Sequence, residues 1–206
     1  MENKNIKSKY TFFQIIQLVF WVIRTKIICF EAKLFCFPFD LRGKRYIDFG
    51  SNLSIGRGCR IEAFDNGDDR PSLKFGRGVQ LNDYNHIVAM DSITVGDNVL
   101  MASHVFISDN SHGSYKGDEN DSDPGVAPIK RDYPTKPISI GDNCWICEGV
   151  IIMPGTTIGK GCVIGAHSIV KGIIPDYSIA VGNPAKVIKM YNTETKRWER
   201  VVKKFS

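Results

Sequence analysis

The sequence predicts a mainly β protein built as a parallel β-helix, and three observations lead to this prediction. Aliphatic side chains recur every six residues without a gap, at Ile140, Ile146, Ile152, Ile158, Ile164 and Val170. Small or β-branched residues come two positions before each of them: Ile138, Cys144, Val150, Thr156, Cys162 and Ser168. Turn-forming residues often follow the aliphatic side chain, as at Gly141, Gly159 and Gly165. A period of six differs from the periods of a helix and of a simple strand, and it predicts three short strands per turn of a coil.

The same spacing appears earlier in the chain, in three shorter runs: Ile55–Ile61, Phe75–Leu81–Ile87 and Val95–Met101–Ile107. Two interruptions break it. The first, Ala63–Pro71, is polar and predicts a surface loop. The second runs from about residue 109 to 137, is rich in Asp, Gly, Ser and Pro, and has no apolar period. Because structureless loops of this length are uncommon in compact domains unless they are functional or disordered, its root is a candidate site.

The two ends of the chain differ from the coil. We expect residues 1–46 to be an apolar and basic helical segment, since YTFFQIIQLVFWVI at 10–23 is apolar but shorter than a bilayer span. One or two helices here would either pack on the coil or lie at a membrane surface with the help of basic residues. The tail at 191–206, YNTETKRWERVVKKFS, predicts a short basic helix.

Composition bounds the class of protein. With 206 residues and 43% hydrophobic content, the chain can bury one sizeable core. Six cysteines are too few for a disulfide scaffold, and no small-residue cleavage site follows the N-terminal apolar run, so we expect reduced thiols and a cytoplasmic protein. Residues 1–45 hold nine Lys and Arg against three acids, while residues 46–185 hold eleven against seventeen. An acidic coil whose basic ends lack interleaved aromatic side chains does not favour nucleic-acid binding.

Residues 47–190 resemble the hexapeptide-repeat acyltransferases, and the run ISIGDNCWICEGVIIMPGTTIGKGCVIGAHSIV carries the resemblance together with IPDYSIAVGNPAKVIK. Within that family the chain is similar to the maltose, galactoside and xenobiotic O-acetyltransferases and to their polysaccharide and lipopolysaccharide relatives. The resemblance implies a left-handed β-helix, acetyl-CoA as co-substrate without a metal, and a homotrimer with sites between subunits. It also implies an O-acetyltransferase that modifies a sugar hydroxyl in surface polysaccharide or lipopolysaccharide assembly.

The reaction needs a base near the acceptor hydroxyl, and histidine titrates nearest to neutral pH. Of the four histidines, His112 in NSHGSY stands at the root of the long loop, where the family places its catalytic histidine. Asp109 is near in sequence and Glu148 could be near across the coils, so either could orient the ring. Asn85 matches the place where relatives bind the acceptor sugar, although a corner residue is nearly as good an interpretation. The resemblance assigns the oxyanion donor to the main chain of Glu148.

For the cofactor, the resemblance points to a set of residues downstream of the loop: Trp145, Ala166, Lys171, Lys186 and Lys189. Trp145 and Ala166 would line the channel for the pantetheine arm, and the lysines would meet the phosphates. The sequence departs from the family at Cys147, where a glycine is usual, and that side chain could crowd the channel.

Two other classes of function stay open. A metalloenzyme of the carbonic anhydrase type would need three converging histidines, and His86 and His104 have the spacing of adjacent turns, although the register slips from six residues to eight between Ile87 and Val95. The CxxC pattern at 144–147 resembles a zinc or redox motif. We interpret its cysteines as structural thiols, because Cys144 occupies an inward position that suits a small side chain and the sequence has no second CxxC. A non-catalytic scaffold tethered by the N-terminus would leave the long loop and the lysines unexplained.

Overall fold

The computed structural model describes residues 10–201, and these form one α-helix followed by a three-sided parallel β-helix. Each side is a sheet, which we name face A, face B and face C. Face A contains the strands Leu34–Phe35, Ser54–Ile55, Gln80–Leu81, Leu100–Met101, Trp145–Ile146, Val163–Ile164, Ser178–Gly182, Ala185–Asn192 and Arg197–Arg200. Face B contains Asp40–Arg42, Arg60–Ala63, His86–Ala89, Phe106–Ser108, Ile151–Ile152 and Ile169–Val170. Face C contains Ile47–Asp48, Leu73–Phe75, Ile93–Val95, Ile138–Ile140, Thr157–Ile158 and Ile173–Ile174. Two short 3-10 helices lie at Lys44–Tyr46 and Pro128–Lys130.

The six-residue repeat predicted from the sequence is confirmed as the inward row of the coil. Its aliphatic side chains are all buried and stack on one another in register, for example Ile107, Ile152 and Val170 on face B. The small residues two positions earlier are buried as well. Because neighbouring coils place like side chains in contact, the interior is one continuous apolar column that stabilises the whole prism.

Cysteines occupy part of this inner row. The thiols of Cys59, Cys144 and Cys162 are buried, and each donates a hydrogen bond to a carbonyl oxygen of the next coil, at 3.1, 3.0 and 3.1 Å. Burial raises the pKa of the Cys59 thiol to about 11. These thiols therefore act as small core side chains with a satisfied donor, as the sequence pattern predicted.

The register slip between Ile87 and Val95 is a longer corner between faces B and C. Strand His86–Ala89 runs one residue further than the neighbouring strand Phe106–Ser108, and Met90–Ser92 turn the chain before strand Ile93–Val95 begins. The strands stop at Ser108 and resume at Ile138, so the long loop leaves the prism at this same edge.

In the described part of the N-terminal segment the α-helix runs from Phe12 to Ile28, and a capping box between Thr11 and Gln14 opens it. Here the expected boundary at residue 47 is wrong, because the first coil begins at Leu34–Phe35, which pairs with Ser54–Ile55. Asp40–Arg42 likewise pairs with Arg60–Glu62. Within the part of the chain that the structure describes, every helix falls short of the length and apolar character that a bilayer crossing requires. The first nine residues of the expected segment lie outside the described range.

The C-terminal tail is not the helix that the sequence led us to expect. Strand Ala185–Asn192 folds back antiparallel on Ser178–Gly182, and Arg197–Arg200 pairs in turn with Lys189–Asn192. The tail covers the open edge of face A, whose backbone groups would otherwise lack partners, and Trp198 packs on Tyr191 at 5.4 Å between ring centroids. Residues 202–206 of the predicted tail lie outside the described range.

Candidate active site

His112 lies at the root of the long loop, beside the edge between faces B and C. Its Nδ1 is 3.3 Å from the carbonyl oxygen of Pro128, and its ring meets Tyr133 edge-on at 4.7 Å between centroids. The Tyr115 hydroxyl donates to the carbonyl of His112 at 2.6 Å. Because a carbonyl oxygen only accepts, the contact with Pro128 places the proton of a neutral ring on Nδ1 and leaves Nε2 with its lone pair.

Asp109 does not orient His112, contrary to one expectation. Its side chain is fully buried, and the carboxylate accepts hydrogen bonds from the main-chain N–H groups of Met90, Asp91 and Ser92 at 2.9, 2.8 and 2.9 Å. The Asp109 carbonyl also accepts from Lys136 N at 2.8 Å. Asp109 therefore fastens both ends of the loop to the long corner, and the ring of His112 is held by a main-chain carbonyl instead.

A cleft of about 350 Å³ opens between His112 and the outer surface of face B; we call it the face B cleft. It is lined by Glu62, His86, Val88, Phe106, Ser108, Asn110, Ser111, His112, Ile152, Met153 and Pro154. Glu62, Val88 and Ser108 stand in one outward column of the sheet, and His86 and Phe106 stand in the next. The sequence pattern had pointed to no role for Glu62 and had suggested His86 only as a metal ligand.

Glu62 is held as a carboxylate in this cleft. Only 8% of its side chain is exposed, and it accepts from Arg60 Nε at 2.8 Å, Arg42 at 3.0 Å and His86 Nε2 at 3.2 Å. Burial by itself raises the pKa of this carboxyl, but hydrogen bonds from Arg60 and His86 and the charges of Arg60 and Arg42 outweigh it and lower the pKa. The neutral His86 ring must then carry its proton on Nε2, toward Glu62.

Asn85 is a corner residue rather than a sugar ligand. It is 1% exposed, its amide donates to the Asn82 carbonyl at 2.9 Å, and its Oδ1 accepts from Val105 N at 2.7 Å. Both ends of the amide are bonded within the coil, and its burial keeps the remaining amide hydrogen away from an acceptor. The expectation of a substrate-binding Asn85 is wrong for this reason.

Glu148 and Ala166 lie on neighbouring coils at the corner between faces A and B, away from His112. The carboxylate of Glu148 accepts from Ser103 N at 2.9 Å, and its carbonyl accepts from His167 N at 2.8 Å. Glu148 therefore does not orient His112 within the chain. Cys147, next to it, is half-buried, and burial raises the pKa of its thiol.

Trp145 and Lys189 share the outer surface of face A. The strand registers align Trp145 with Val163, Val163 with Ile179, and Ile179 with Lys189, and we call this row the face A strip. Trp145 is 50% exposed at one end of the strip. Lys186 is exposed further along the same strand as Lys189, beside Val181. Of the five residues predicted to bind the cofactor, Lys171 is the one at the same edge as the face B cleft. It follows Val170 where the chain passes from face B to face C.

The remaining histidines do not converge. His104 stacks on Tyr84 at 5.2 Å, whereas His86 pairs in register with Phe106, so the spacing noted in the sequence does not bring His86 and His104 together. His167 lies against Gly149, whose φ of 66° and lack of a Cβ permit the close approach, since a Cβ there would come 2.4 Å from the ring. Across residues 10–201, no three His, Cys, Asp or Glu side chains are placed to hold a metal ion.

Comparison with known proteins decides the family. Residues 137–172 match the model described as bacterial transferase hexapeptide (six repeats). The chain is 40% identical over 195 residues to the putative lipopolysaccharide biosynthesis O-acetyl transferase WbbJ of Escherichia coli. The aligned residues cover 95% of this chain and 97% of that protein. The chain belongs to the hexapeptide-repeat acyltransferase family. It is therefore an enzyme of the acyltransferase class, and the resemblance drawn from its repeats is confirmed.

The chain is also similar to a further acetyltransferase in sequence and to a solved structure in fold. The galactoside O-acetyltransferase of Escherichia coli is 35% identical over 156 residues, which are 74% of this chain and 61% of that protein. The N-acyltransferase AntD from Bacillus cereus, solved as a point mutant in complex with dTDP and coenzyme A, superposes with a TM-score of 0.58 at 19% identity. That match covers 93% of this chain and 94% of the other and concerns the fold, which is the left-handed parallel β-helix of the family.

Proposed function

We propose that this protein is an acetyl-CoA-dependent O-acetyltransferase that modifies a sugar hydroxyl in surface polysaccharide or lipopolysaccharide biosynthesis. The observation that carries the proposal is the position of His112. Its ring lines a cleft large enough for a sugar, and its Nδ1 is hydrogen-bonded to the Pro128 carbonyl oxygen. The similarity to WbbJ over nearly the full length supports the acceptor class. All six cysteines are unpaired, which supports a reducing, cytoplasmic location.

In this reaction His112 acts as the general base. Its Nε2 takes the proton of the acceptor hydroxyl while the oxygen attacks the thioester carbonyl, and no acyl-enzyme forms. His112 then returns the proton to the departing sulfur. A base of this kind contributes roughly 10²- to 10⁴-fold to the rate.

The face B cleft would hold the acceptor. Glu62 and His86 present a carboxylate and an imidazole, which are groups that bind sugar hydroxyls, and Phe106 and Met153 supply apolar surface. The network from Arg42 and Arg60 fixes Glu62 in one position. Neighbouring hydroxyls of the sugar would thereby be oriented so that a single one reaches His112.

The face A strip fits the donor. Acetyl-CoA supplies an activated acetyl thioester on a long arm that ends in phosphates. Trp145, Val163 and Ile179 form an apolar row that ends at Lys189, with Lys186 close by, and three strand spacings separate the ends by about 14 Å. Ala166 and the main-chain N–H of Glu148 at the adjacent corner would complete the channel and the oxyanion site.

We also propose that the protein is a homotrimer, because the two halves of the proposed site lie on different sides of one chain. His112 lies at the edge of faces B and C, whereas the face A strip lies on another side of the same prism and Glu148 lies at the corner between faces A and B. One chain therefore presents the two halves of a site on different sides. A second copy that brings its own face A against the cleft would complete each site, and a cyclic trimer closes such contacts without a free end.

The test is acetyl transfer by the purified protein from acetyl-CoA to a panel of neutral sugars and matched amino sugars. Release of the coenzyme A thiol and the mass of the acceptor measure the transfer. We expect an alkali-labile acetyl ester on at least one neutral sugar. Alkali-stable products confined to the amino sugars would show an N-acetyltransferase, and thiol release without any acetylated acceptor would show hydrolysis; either result would contradict the proposal.

A further inference from the structure

The N-terminal helix, Phe12–Ile28, turns its polar side chains toward the protein. Trp21 and Thr25 are buried against the first coil, and the Thr25 hydroxyl accepts from Phe35 N at 2.8 Å and donates to the Trp21 carbonyl at 2.7 Å. The Gln17 amide oxygen accepts from Arg57 at 3.2 Å, and the Arg57 guanidinium lies over the Trp21 ring at 4.7 Å. The contacts of Gln17, Trp21 and Thr25 thus define the side of the helix that faces the coil.

The outer side of the helix is apolar. The exposed apolar side chains of the helix, between 41% and 80% accessible, are Phe12, Phe13, Ile15, Ile16, Val19, Phe20, Val22, Ile23 and Ile27. The helix holds no acidic residue, and its first charged residue is Arg24. We call these nine side chains the outer helix face. A contiguous apolar surface of this kind marks a contact with a membrane or another protein rather than with water.

The geometry limits how this helix can meet a bilayer. Seventeen residues of helix span about 25 Å, less than the roughly 30 Å of a hydrocarbon core. The contacts of Trp21 and Thr25 hold one side of the helix against the coil. The helix can therefore bury its outer side in a lipid surface only by lying along that surface.

Charge decides between a lipid surface and a second copy of the chain. Residues 1–45 carry nine Lys and Arg against three acids, and Lys4, Lys7 and Lys9 immediately precede the helix in sequence. Each basic residue near an anionic leaflet contributes about 1 kcal/mol of attraction. Packing the same face against another copy would bring two such basic segments together, and like charges repel. We propose that the outer helix face docks the enzyme on a membrane that contains anionic phospholipids.

The test uses the full-length protein in flotation with phosphatidylcholine vesicles, with and without phosphatidylglycerol. Phe13→Asp/Ile16→Asp changes only side chains on the outer helix face. Ile173→Asp is the matched control, because Ile173 is 77% exposed on face C. We expect the parent and the control to float with the anionic vesicles, less so at high salt. The floated fraction of the double variant should fall by about tenfold or more.

Two outcomes would overturn the docking proposal. One is a parent that stays at the bottom with both kinds of vesicle, and the other is a double variant that floats as well as the parent. Light scattering adds an independent check, since a change in the mass of the double variant would show that the face contacts another copy. Turnover of a soluble acceptor should be the same in the parent and the double variant, so failure here is distinguishable from failure of the proposed reaction.

Discussion

The Glu62 carboxylate is the acidic group in the lining of the face B cleft, and its environment makes stability depend on pH. Its pKa is lower in the folded protein than its usual value of 4.5. The unfolded chain therefore binds this proton first, and the stabilisation is complete above about pH 4.5 and is lost as the pH falls through the folded pKa. Glu62→Gln should remove this part of the pH dependence.

Urea unfolding of the parent and of Glu62→Gln across the acid range checks this prediction. We expect a loss on the order of 1 kcal/mol at neutral pH, kept small because the two arginines are half exposed, and a flatter acid limb. Asp68→Asn is the matched control, since Asp68 pairs with Arg70 at 2.8 Å but is 59% exposed. If the control flattened the acid limb as much as the Glu62 variant did, the assignment to Glu62 would be wrong.

Single residues also show how far sequence reasoning reached into the site. His112 could be found because it is a lone histidine at the point where an apolar period gives way to a polar loop. Glu62 and His86 could not, because the six-residue period marks only the inward row, and these side chains belong to the outward columns. Their 24-residue separation becomes a contact only when the strands stack in register. Asp109 and Asn85 were misassigned because main-chain donors and acceptors take up their side chains.

The loop and the long corner act as one element through Asp109. Asp109→Ala would leave three main-chain N–H groups without their acceptor, so we expect a loss of about 3 kcal/mol in the free energy of unfolding. We also expect kcat to fall, because the root that carries His112 loosens while His112 itself is intact. Asp123→Ala is the control, since Asp123 is exposed in the same loop and its carboxylate accepts a single hydrogen bond, from Gly125 N.

Thermal unfolding and steady-state kinetics of these two variants measure the effect. A stable Asp109→Ala protein with parental kcat would show that the loop root is held by other contacts. A control that is destabilised as much as Asp109→Ala would show that the loop is generally fragile.

The elements themselves were predictable where a period was long. The coil strands from Ser54–Ile55 to Ile169–Val170 follow from the aliphatic spacing. The first coil was missed because residues 1–46 were assigned to a helical segment, although Phe35, Leu41 and Ile47 keep the same spacing of six. The tail was mistaken for a helix because its basic and apolar residues alternate ambiguously. Its strand conformation is decided by the open edge of face A, which is a tertiary feature.

At the scale of the whole molecule, the proposed trimer, with each site divided between two copies, makes a prediction about mixed trimers. Preparations of His112→Ala and Trp145→Ala should each be strongly impaired. Unfolding and refolding them together should restore about a quarter of the sites, because a complete site needs an intact His112 from one copy and an intact Trp145 from another. Activity no greater than the sum of the two variants would place both residues of a site in one chain, and sedimentation measures the trimer directly.

Comparison of kcat for the parent, His112→Ala and His104→Ala tests the role of His112 most directly, with the best acceptor from the sugar panel at saturation. His104 is the matched control, since it is an exposed histidine on the same prism whose ring stacks on Tyr84. The proposed reaction predicts that kcat falls by roughly 10²- to 10⁴-fold in His112→Ala and stays near the parental value in His104→Ala. Parental turnover in His112→Ala would contradict the assignment of the base.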